Sequence, residues 1–336
     1  AHAPQARAKS LMSKRKRDAD MAGMHILSVE QFDEDILHLV FDVASRMKQM
    51  VATKRRSDVL SGFVLANVFY EPSTRTMCSF DAAMKRLGGD VISVSESTSS
   101  AKKGETIEDT VRCLQCYCDV LVLRHPEKGT AAKAAGAAKK PVINAGDGIG
   151  EHPTQALLDL FTVASSHGRA DGTALDGLTL TLLGDLKHGR TVHSLALLAS
   201  KLSRPPKVSL VSPAPLRMPD YVTAELAKRG VAFEQTDALP AALPAADVLY
   251  VTRVQRERFA SAEEYDAVKG AYVVDAATMA AAKPDMIVLH PLPRVDEIAT
   301  DFDDDPRAKY FEQMENGMYV RMALLALVLG ADLSKL

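Results

Sequence analysis

The chain has 336 residues, of which 47% are hydrophobic and 25% are charged, and its formal net charge is −2 at pH 7. This length allows two domains, each with its own hydrophobic core, and the composition is typical of a globular protein. The balanced charge and the lack of any apolar run near the roughly 18 residues of a membrane span exclude strongly basic and membrane-embedded proteins, so we expect neither a nucleic-acid nor a membrane partner.

Residues 1–24 differ from the rest of the chain. They contain no aromatic residue and carry the basic run Lys14-Arg15-Lys16-Arg17. No apolar signal-peptide core accompanies this run, so the segment predicts neither secretion nor an anchor. We interpret it as a flexible linker, and a nuclear-localisation role for the basic run is the alternative.

The next segment, residues 25–167, is expected to form a first domain of alternating strands and helices. A helix with apolar positions from Phe32 to Met47 comes first. The predicted strands then lie at 63–69, 91–95, 120–123 and 141–144, and the predicted helices at 76–87, 105–116, 129–138 and 154–166. Such a βαβ series predicts a parallel sheet that helices cover on both faces.

A second series of strands and helices follows a break in the periodicity at 167–172, which we take as the domain boundary. Strands are predicted at 178–183, 207–211, 231–234, 248–252, 272–274 and 286–289, with helices near 191–202, 219–229 and 276–282. A closing helix over 304–330, apolar on one side, is expected to join the first domain. The sequence thus predicts an α/β protein with two doubly wound parallel-sheet domains, the second spanning 168–303. Ligands of such sheets bind beyond the carboxyl ends of the strands, so we expect the active site in the cleft between the domains.

Three of the four cysteines, Cys113, Cys116 and Cys118, lie close together in the sequence. This spacing could indicate a redox pair or a metal site, but no second Cys or His pair lies at zinc-finger spacing. Because positions 113 and 116 fall on one face of a predicted helix, we favour buried, reduced thiols, which suit a cytosolic protein.

The strongest signal for chemistry is Ser73-Thr74-Arg75-Thr76, between the strand at 63–69 and the helix at 76–87. Free backbone N–H groups at a helix start, together with hydroxyls and the Arg75 guanidinium, would form an anion site suited to phosphate. The alternative is an ordinary capped helix, since Ser and Thr favour N-caps for structural reasons alone.

Other polar residues follow the predicted strands. Arg124 follows 120–123, and a glycine-rich turn after 141–144 leads to His152 and Gln155, for which helix capping is the alternative role. The glycine spacing is not a dinucleotide fingerprint, so we reject NAD binding. Further clusters follow the strands of the second domain, and four cations stand where a cleft is expected: Arg75, Arg124, Arg190 and Arg253. Together they predict a strongly anionic set of ligands.

Five motifs in order carry a resemblance to a known family. They are Ser73-Thr74-Arg75-Thr76, His152-Pro153-Thr154-Gln155, Gly189-Arg190-Thr191, Thr252-Arg253-Val254-Gln255 and His290-Pro291-Leu292-Pro293-Arg294. The chain resembles the aspartate carbamoyltransferase family from about His25 to Gly330. The resemblance is nearest to the form of that enzyme which is one domain of the multifunctional eukaryotic pyrimidine-synthesis protein.

The resemblance implies transfer of the carbamoyl group of carbamoyl phosphate to L-aspartate, giving N-carbamoyl-L-aspartate and phosphate in de novo pyrimidine biosynthesis. It implies no metal and no cofactor. The residues that it assigns to carbamoyl phosphate are Ser73, Thr74, Arg75, Thr76, Ser99, Lys103, Arg124, His152, Gln155, Pro291 and Leu292. Those that it assigns to aspartate are Lys103, Arg190, Thr191, Arg253, Gln255 and Leu292. The catalytic roles fall to Arg75, Thr76, Lys103, Arg124 and His152.

The resemblance also implies a cytoplasmic homotrimer in which a neighbouring subunit donates Ser99 and Lys103, and a covalent link to other pyrimidine-pathway domains. Ornithine carbamoyltransferase is the nearest rival, because it shares the phosphate half of the site. Arg253 should repel the cationic ornithine side chain, and the segment 290–293 lacks a Cys, so we favour aspartate. A catalytically inactive homologue that serves as a scaffold is the rival of another class.

Overall fold

The structure, a computed structural model, describes residues 21–96, 99–169 and 175–336. Most of the expected linker, Ser97 and Thr98, and part of the expected domain boundary lie outside the described residues. The chain divides into a first unit, which runs to Thr154 and resumes at Asn316–Leu336, and a second unit, Gln155–Glu315. The boundary at 167–172 stays a prediction.

The first unit contains a parallel sheet in the strand order β2-β1-β3-β4. Its elements are α1 (Glu34–Lys54), β1 (Val64–Phe69), α2 (Thr74–Arg86), β2 (Asp90–Ser95), α3 (Ile107–Leu114), β3 (Val120–His125), α4 (Thr130–Ala137), β4 (Val142–Asp147) and α5 (Pro153–Ser166), the last of which crosses into the second unit. The parallel α/β architecture predicted from the sequence is confirmed.

Burial explains why β3 reads as a continuous apolar run in the sequence. Val120–Leu123 are all buried in β3, because a strand inside a parallel sheet is covered on both faces. Two of these helices begin at side-chain caps: Asp33 accepts from the N–H of Ile36 at 2.9 Å at the start of α1, and Thr106 caps α3 in the same way.

The second unit contains another parallel sheet, in the order β7-β6-β5-β8-β9. Its elements are β5 (Thr179–Gly184), α6 (Arg190–Ala199), β6 (Lys207–Val211), α7 (Asp220–Lys228), β7 (Phe233–Thr236), α8 (Leu239–Ala242), β8 (Val248–Thr252), α9 (Ala262–Asp266), α10 (Ala276–Met279) and β9 (Ile287–Leu289), followed by α11 (Tyr310–Val328), which crosses back into the first unit.

The predicted strand at 272–274 is wrong. Val274 forms only an isolated bridge with Ile298. The reason is local: Asp275 accepts from the N–H of Thr278 at 2.7 Å and caps α10, so the chain turns into a helix before a ladder can extend.

The closing helix α11 begins at Tyr310 rather than at residue 304. Residues before it run beside β9, where the N–H of Lys309 donates to the carbonyl of Val288 at 2.9 Å. Val320 and positions 322–328 are all buried, so the second half of this helix is covered on every side, whereas Phe311 and Glu315 in its first half are exposed. Among the described residues no helix is both long and apolar enough to cross a membrane.

The four cysteines are free, but the predicted burial holds only for Cys118. Cys113 and Cys116 are exposed, because they lie at the solvent-facing end of α3 and in the turn after it, whereas Cys118 directly precedes the buried strand β3. Burial raises the pKa of the Cys118 thiol to about 11.

Gly184, the last residue of β5, offers a test of this packing. Its φ is +113°, and a Cβ there would lie 2.2 Å from the carbonyl oxygen of Thr252 in the neighbouring strand. We expect Gly184→Ala to destabilise the protein by at least about 1–3 kcal/mol, as a lower urea denaturation midpoint. The control is Gly136→Ala in α4, where a Cβ meets nothing within 4 Å, and a gain of roughly 0.5–1 kcal/mol is expected there. Equal midpoints for Gly184→Ala and the wild type would contradict this account.

Candidate functional site

The first candidate region is the start of α2, directly after β1. Ser73 is the N-cap residue, yet its side chain makes no capping hydrogen bond, which disfavours the ordinary-cap interpretation. The N–H groups of the first helical turn therefore keep their capacity to bind an anion, and the helix dipole favours negative charge there. Thr74 and Arg75 are exposed and Thr76 is buried. Partial desolvation lowers the pKa of Arg75.

A buried amide fixes the start of α2 on the sheet. Asn67 lies fully buried in β1, and its Nδ2 donates to the carbonyl of Met77 at 3.1 Å. A polar side chain inside a parallel strand is costly unless it is hydrogen-bonded. Here the bond ties the first turn of the helix to the central strand.

Arg124, the second candidate, ends β3 and is only 8% exposed. Its guanidinium donates to the carbonyl of Ala145 at 3.0 Å and to Oε1 of Glu71 at 3.0 Å. A buried charge needs such partners, and together they hold the planar group in one orientation. Glu71 was not among the residues predicted from the sequence, where its place two residues after β1 was the only available signal.

His152, which is 4% exposed, follows β4 at the end of a loop that acidic side chains hold in place. Asp147 accepts from the N–H groups of Gly129, at 3.0 Å, and Glu151, at 2.9 Å. Glu151 in turn accepts from Oγ of Ser28 at 2.6 Å and from the N–H of Val29 at 2.7 Å. The loop that carries His152 is thus held at several points.

The predicted loop that includes Ser99 and Lys103 is short and partly helical. Ser99 donates from its N–H and its hydroxyl to the carbonyl of Glu96, both at 3.2 Å, and a 3₁₀ turn spans Ser100–Lys103. Lys103 is exposed. The roles predicted for Ser99 and Lys103 stay predictions.

In the second unit, α6 begins at Arg190, and Gly189 is its N-cap residue. The buried carboxylate of Asp185 accepts from the N–H of His188 at 3.0 Å and from the N–H of Gln255 at 3.4 Å. Gln255 also donates through Nε2 to the carbonyl of His188 at 3.1 Å. The loops after β5 and β8 are therefore joined, and both carry predicted aspartate-binding residues.

A pocket of about 300 Å³ lies beside these loops, and Gly184, Arg253, Arg256, Tyr265 and Lys269 are among its lining residues. The Arg256 guanidinium lies over the ring of Tyr265, 5.8 Å from its centroid. The lining also includes Asp296 and Glu297, so its cationic side chains outnumber its acidic ones only by three to two.

The segment after β9 has an unusual backbone. Leu292 has a φ of +53°, a left-handed conformation that costs a branched residue energy. Its N–H donates to Nδ1 of His290 at 2.8 Å, so the other ring nitrogen, Nε2, carries the hydrogen and lies 2.8 Å from Oε1 of Glu297. The segment that contains Pro291 and Leu292 is thereby fixed by hydrogen bonds between its own residues and Glu297.

Two further candidate side chains of the second unit, Gln155 and Arg294, contact acidic residues. The side chain of Gln155 donates to the buried carboxylate of Asp159 at 2.8 Å. Arg294, part of the motif at 290–294, forms an ion pair with Asp303, which raises the pKa of Arg294 and lowers that of Asp303. Arg294 is therefore held in a structural contact.

Topology explains which predicted residues come together. In the first unit, 73–76 and His152 follow β1 and β4, and Arg124 lies near the carboxyl end of β3. These three strands are adjacent in the sheet and parallel. In the second unit, Arg190, Arg253 with Gln255, and 290–292 follow the adjacent strands β5, β8 and β9. Each unit thus collects its own set at one sheet edge, and the expected cleft stays a prediction.

Comparison with known families identifies both halves of the chain. Residues 24–165 match the model of the aspartate/ornithine carbamoyltransferase carbamoyl-P binding domain, and residues 176–328 match the model of the Asp/Orn binding domain.

Individual relatives agree with these matches. The chain is 52% identical over 314 residues to multifunctional protein pyr1-3 of Dictyostelium discoideum, which covers 94% of the chain but only 14% of that relative. It is 49% identical to the aspartate carbamoyltransferase catalytic subunit of Chromobacterium violaceum, with 91% of the chain and 98% of the subunit covered. A crystal structure of aspartate transcarbamoylase from Trypanosoma cruzi with carbamoyl phosphate and aspartate superposes with a TM-score of 0.86 at 45% identity, covering 93% of this chain and 97% of that one.

The contact between His290 and Glu297 predicts a pH dependence of stability. Burial, the largest single influence, raises the pKa of Glu297. The interactions with His290 and the hydrogen bonds from backbone N–H groups together outweigh it and hold that pKa below its usual value. The unfolded chain then binds more protons than the folded one below a pH of about 4.3, so the stability from Glu297 is present above that pH and is lost as the pH falls through the folded-state pKa.

We expect the melting temperature of Glu297→Gln to lie below that of the wild type at neutral pH, with a gap that narrows towards a pH of about 3. The surface-charge control is Glu264→Gln, at an exposed position in α9. A gap that stays constant over this range, measured by calorimetry, would contradict the proposed contact.

Proposed function

The chain belongs to the aspartate/ornithine carbamoyltransferase family, and on this premise we propose that it is an aspartate carbamoyltransferase. It transfers the carbamoyl group of carbamoyl phosphate to L-aspartate and releases phosphate, a step of pyrimidine biosynthesis. The observation that carries the proposal is the placement of candidate residues, among them four arginines, at the carboxyl ends of three adjacent parallel strands in each unit. Two anionic substrates require two such sets.

The first set suits carbamoyl phosphate. The start of α2, with Ser73, Thr74, Arg75 and Thr76, binds the phosphate through backbone N–H groups, hydroxyls and a guanidinium. Thr76, Arg124 and His152 donate hydrogen bonds to the carbonyl oxygen. Glu71 and Ala145 already hold Arg124 in one orientation, so its donors need no reorganisation during the reaction.

The reaction begins when the neutral amine of aspartate attacks the carbamoyl carbon. Negative charge then grows on the carbonyl oxygen of a tetrahedral intermediate, where the three donors stabilise it. His152, which lies among cations, acts as a neutral hydrogen-bond donor. The C–O bond to phosphate breaks, and the departing phosphate accepts the amine proton.

The second set suits aspartate. Arg190, Thr191, Arg253 and Gln255 bind the two carboxylates, and Asp185 holds the two loops that carry them. Lys103 and the carbonyl of Leu292 complete this proposed set. Ornithine presents an ammonium group where aspartate presents its side-chain carboxylate, so Arg253 repels it.

The test is an assay of both amines with carbamoyl phosphate. We expect carbamoyl aspartate to form, with a kcat/KM on the order of 10²-fold or more above that for ornithine, because juxtaposed like charges cost several kcal/mol. Arg253→Gln should lower kcat/KM for aspartate, and Arg217→Gln, which removes an exposed charge of the same unit, is the control. Ornithine turnover would favour the rival enzyme. Tight binding of a phosphonate bisubstrate analogue without any turnover would favour the scaffold alternative.

We also propose that the protein is a homotrimer whose sites are shared, with Ser99 and Lys103 donated by a neighbouring subunit. The chain spans 14% of the length of the multifunctional relative from Dictyostelium, which supports a covalent link to other pathway domains. Free cysteines suit a reducing compartment, so we place the protein in the cytoplasm.

Shared sites predict complementation. Lys103→Ala and Arg190→Ala should each abolish activity as pure proteins. Mixed oligomers can pair an intact Lys103 of one chain with an intact Arg190 of the next, so mixing after mild dissociation should restore about a quarter of the activity, as expected for a cyclic assembly. Hybrids that form, as shown by native mass spectrometry, and stay inactive would contradict shared sites.

A further inference from the structure

A fully buried carboxylate lies beneath the second candidate set. Asp159 is 0% exposed and sits one helical turn after Gln155 in α5. Its Oδ1 accepts from Nε2 of Gln155 at 2.8 Å and from Nε2 of Gln313 at 2.6 Å, and its Oδ2 accepts from the hydroxyl of Tyr250 at 2.7 Å. Three donors offset part of the large cost of burying this charge.

Packing alone does not account for this arrangement. Replacing a buried ionic group by apolar side chains of similar volume is often neutral or stabilising. Tyr250 and Gln313 are themselves buried, and burial together with the nearby Asp159 raises the pKa of the Tyr250 hydroxyl well above its usual value. The hydroxyl therefore stays a donor, and the carboxylate is held in one orientation.

The carboxylate determines which way the Gln155 amide points. An amide has a donor end and an acceptor end, and a carboxylate can only accept. Nε2 of Gln155 is committed to Asp159, so Oε1 is turned away from it as an acceptor. The amino group of carbamoyl phosphate can donate to this oxygen. An inverted Gln155 amide would instead place its own NH2 group against that amino group, two donors with no acceptor between them.

The same carboxylate reaches the segment after β9. Gln313 donates to Asp159 through Nε2 and accepts the N–H of His290 through Oε1 at 2.9 Å. His290 precedes Pro291 and Leu292, which the family resemblance assigns to carbamoyl phosphate together with Gln155. We take the carbonyls of Pro291 and Leu292 as the other two acceptors for its amino group. One buried carboxylate thus connects all three proposed acceptors.

We propose that Asp159 is a positioning residue for carbamoyl phosphate, which orients Gln155 directly and the 290–292 segment through Gln313 to accept the carbamoyl amino group. This inference rests on the proposed function. It makes Asp159 a determinant of specificity for a carbamoyl group over an acyl phosphate of the same shape, although it touches no substrate.

Acetyl phosphate is the discriminating probe, because a methyl group replaces the amino group while the phosphate and the carbonyl stay. The dissociation constants of carbamoyl phosphate, acetyl phosphate and inorganic phosphate are measured by competition in the carbamoyltransferase assay. In Asp159→Asn the new amide can donate to Oε1 of Gln155 and invert it. We expect affinity for carbamoyl phosphate to fall roughly 10- to 100-fold, the cost of leaving a buried donor without its acceptor, while affinity for the other two stays within about twofold.

Two further variants separate positioning from folding. Tyr250→Phe removes a donor to Oδ2 but leaves both amides on Oδ1, so the preference for carbamoyl over acetyl phosphate should persist. Gln313→Met disconnects only the 290–292 segment and should lower the preference less than Asp159→Asn. If Asp159→Asn does not fold, the preference measured in Gln313→Met decides between the outcomes.

The outcomes are distinct. A selective loss of carbamoyl phosphate affinity supports the proposal. A loss of affinity that is equal for all three ligands overturns the proposal and leaves the proposed function intact. An unchanged preference for carbamoyl phosphate in Asp159→Asn does the same. If only Gln313→Met folds, an unchanged preference in that variant overturns the proposal. A wild type that makes no carbamoyl aspartate overturns the proposed function itself, and this inference with it.

Discussion

Every strand in the two sheets runs parallel to its neighbours, and this constraint places the chemistry. In a parallel sheet all the carboxyl ends meet at one edge, so residues far apart in sequence come together after each strand. Ser73, Arg124 and His152 are brought together in this way in the first unit, and Arg190 and Arg253 in the second. The loops between strand and helix then need only be short and rigid.

Rigidity comes from carboxylates that accept backbone N–H groups. Asp147, Glu151 and Asp185 each hold a loop through such bonds, and Glu71 pairs with Arg124. Bonds of this kind to an ionised group are about twice as strong as neutral ones. Among the candidate cations Arg124 is thus paired with an acid, while the other three acids hold the backbone of the loops.

The sequence allowed the fold and most of the candidate residues to be predicted, because βαβ periodicity and polar clusters after strands are local signals. The supporting acids could not be found in this way. Asp159 looks like any helix residue until Tyr250 and Gln313, distant in sequence, are seen to donate to it. The strand expected at 272–274 failed for the opposite reason: the Asp275 cap, a local competitor, outweighed the apolar pattern. Exposure of Cys113 likewise depended on which face of a short helix met the sheet.

The left-handed backbone at Leu292 limits how far the thermal stability of this protein can be raised without loss of activity. A glycine would adopt that φ without penalty, so selection for heat resistance alone would favour it there by about 1–2 kcal/mol. The same exchange would widen the range of directions in which the neighbouring carbonyls point. Under the roles proposed for the Pro291 and Leu292 carbonyls, thermal stability and turnover are therefore opposed at this position, and a more stable variant with glycine there would turn over more slowly.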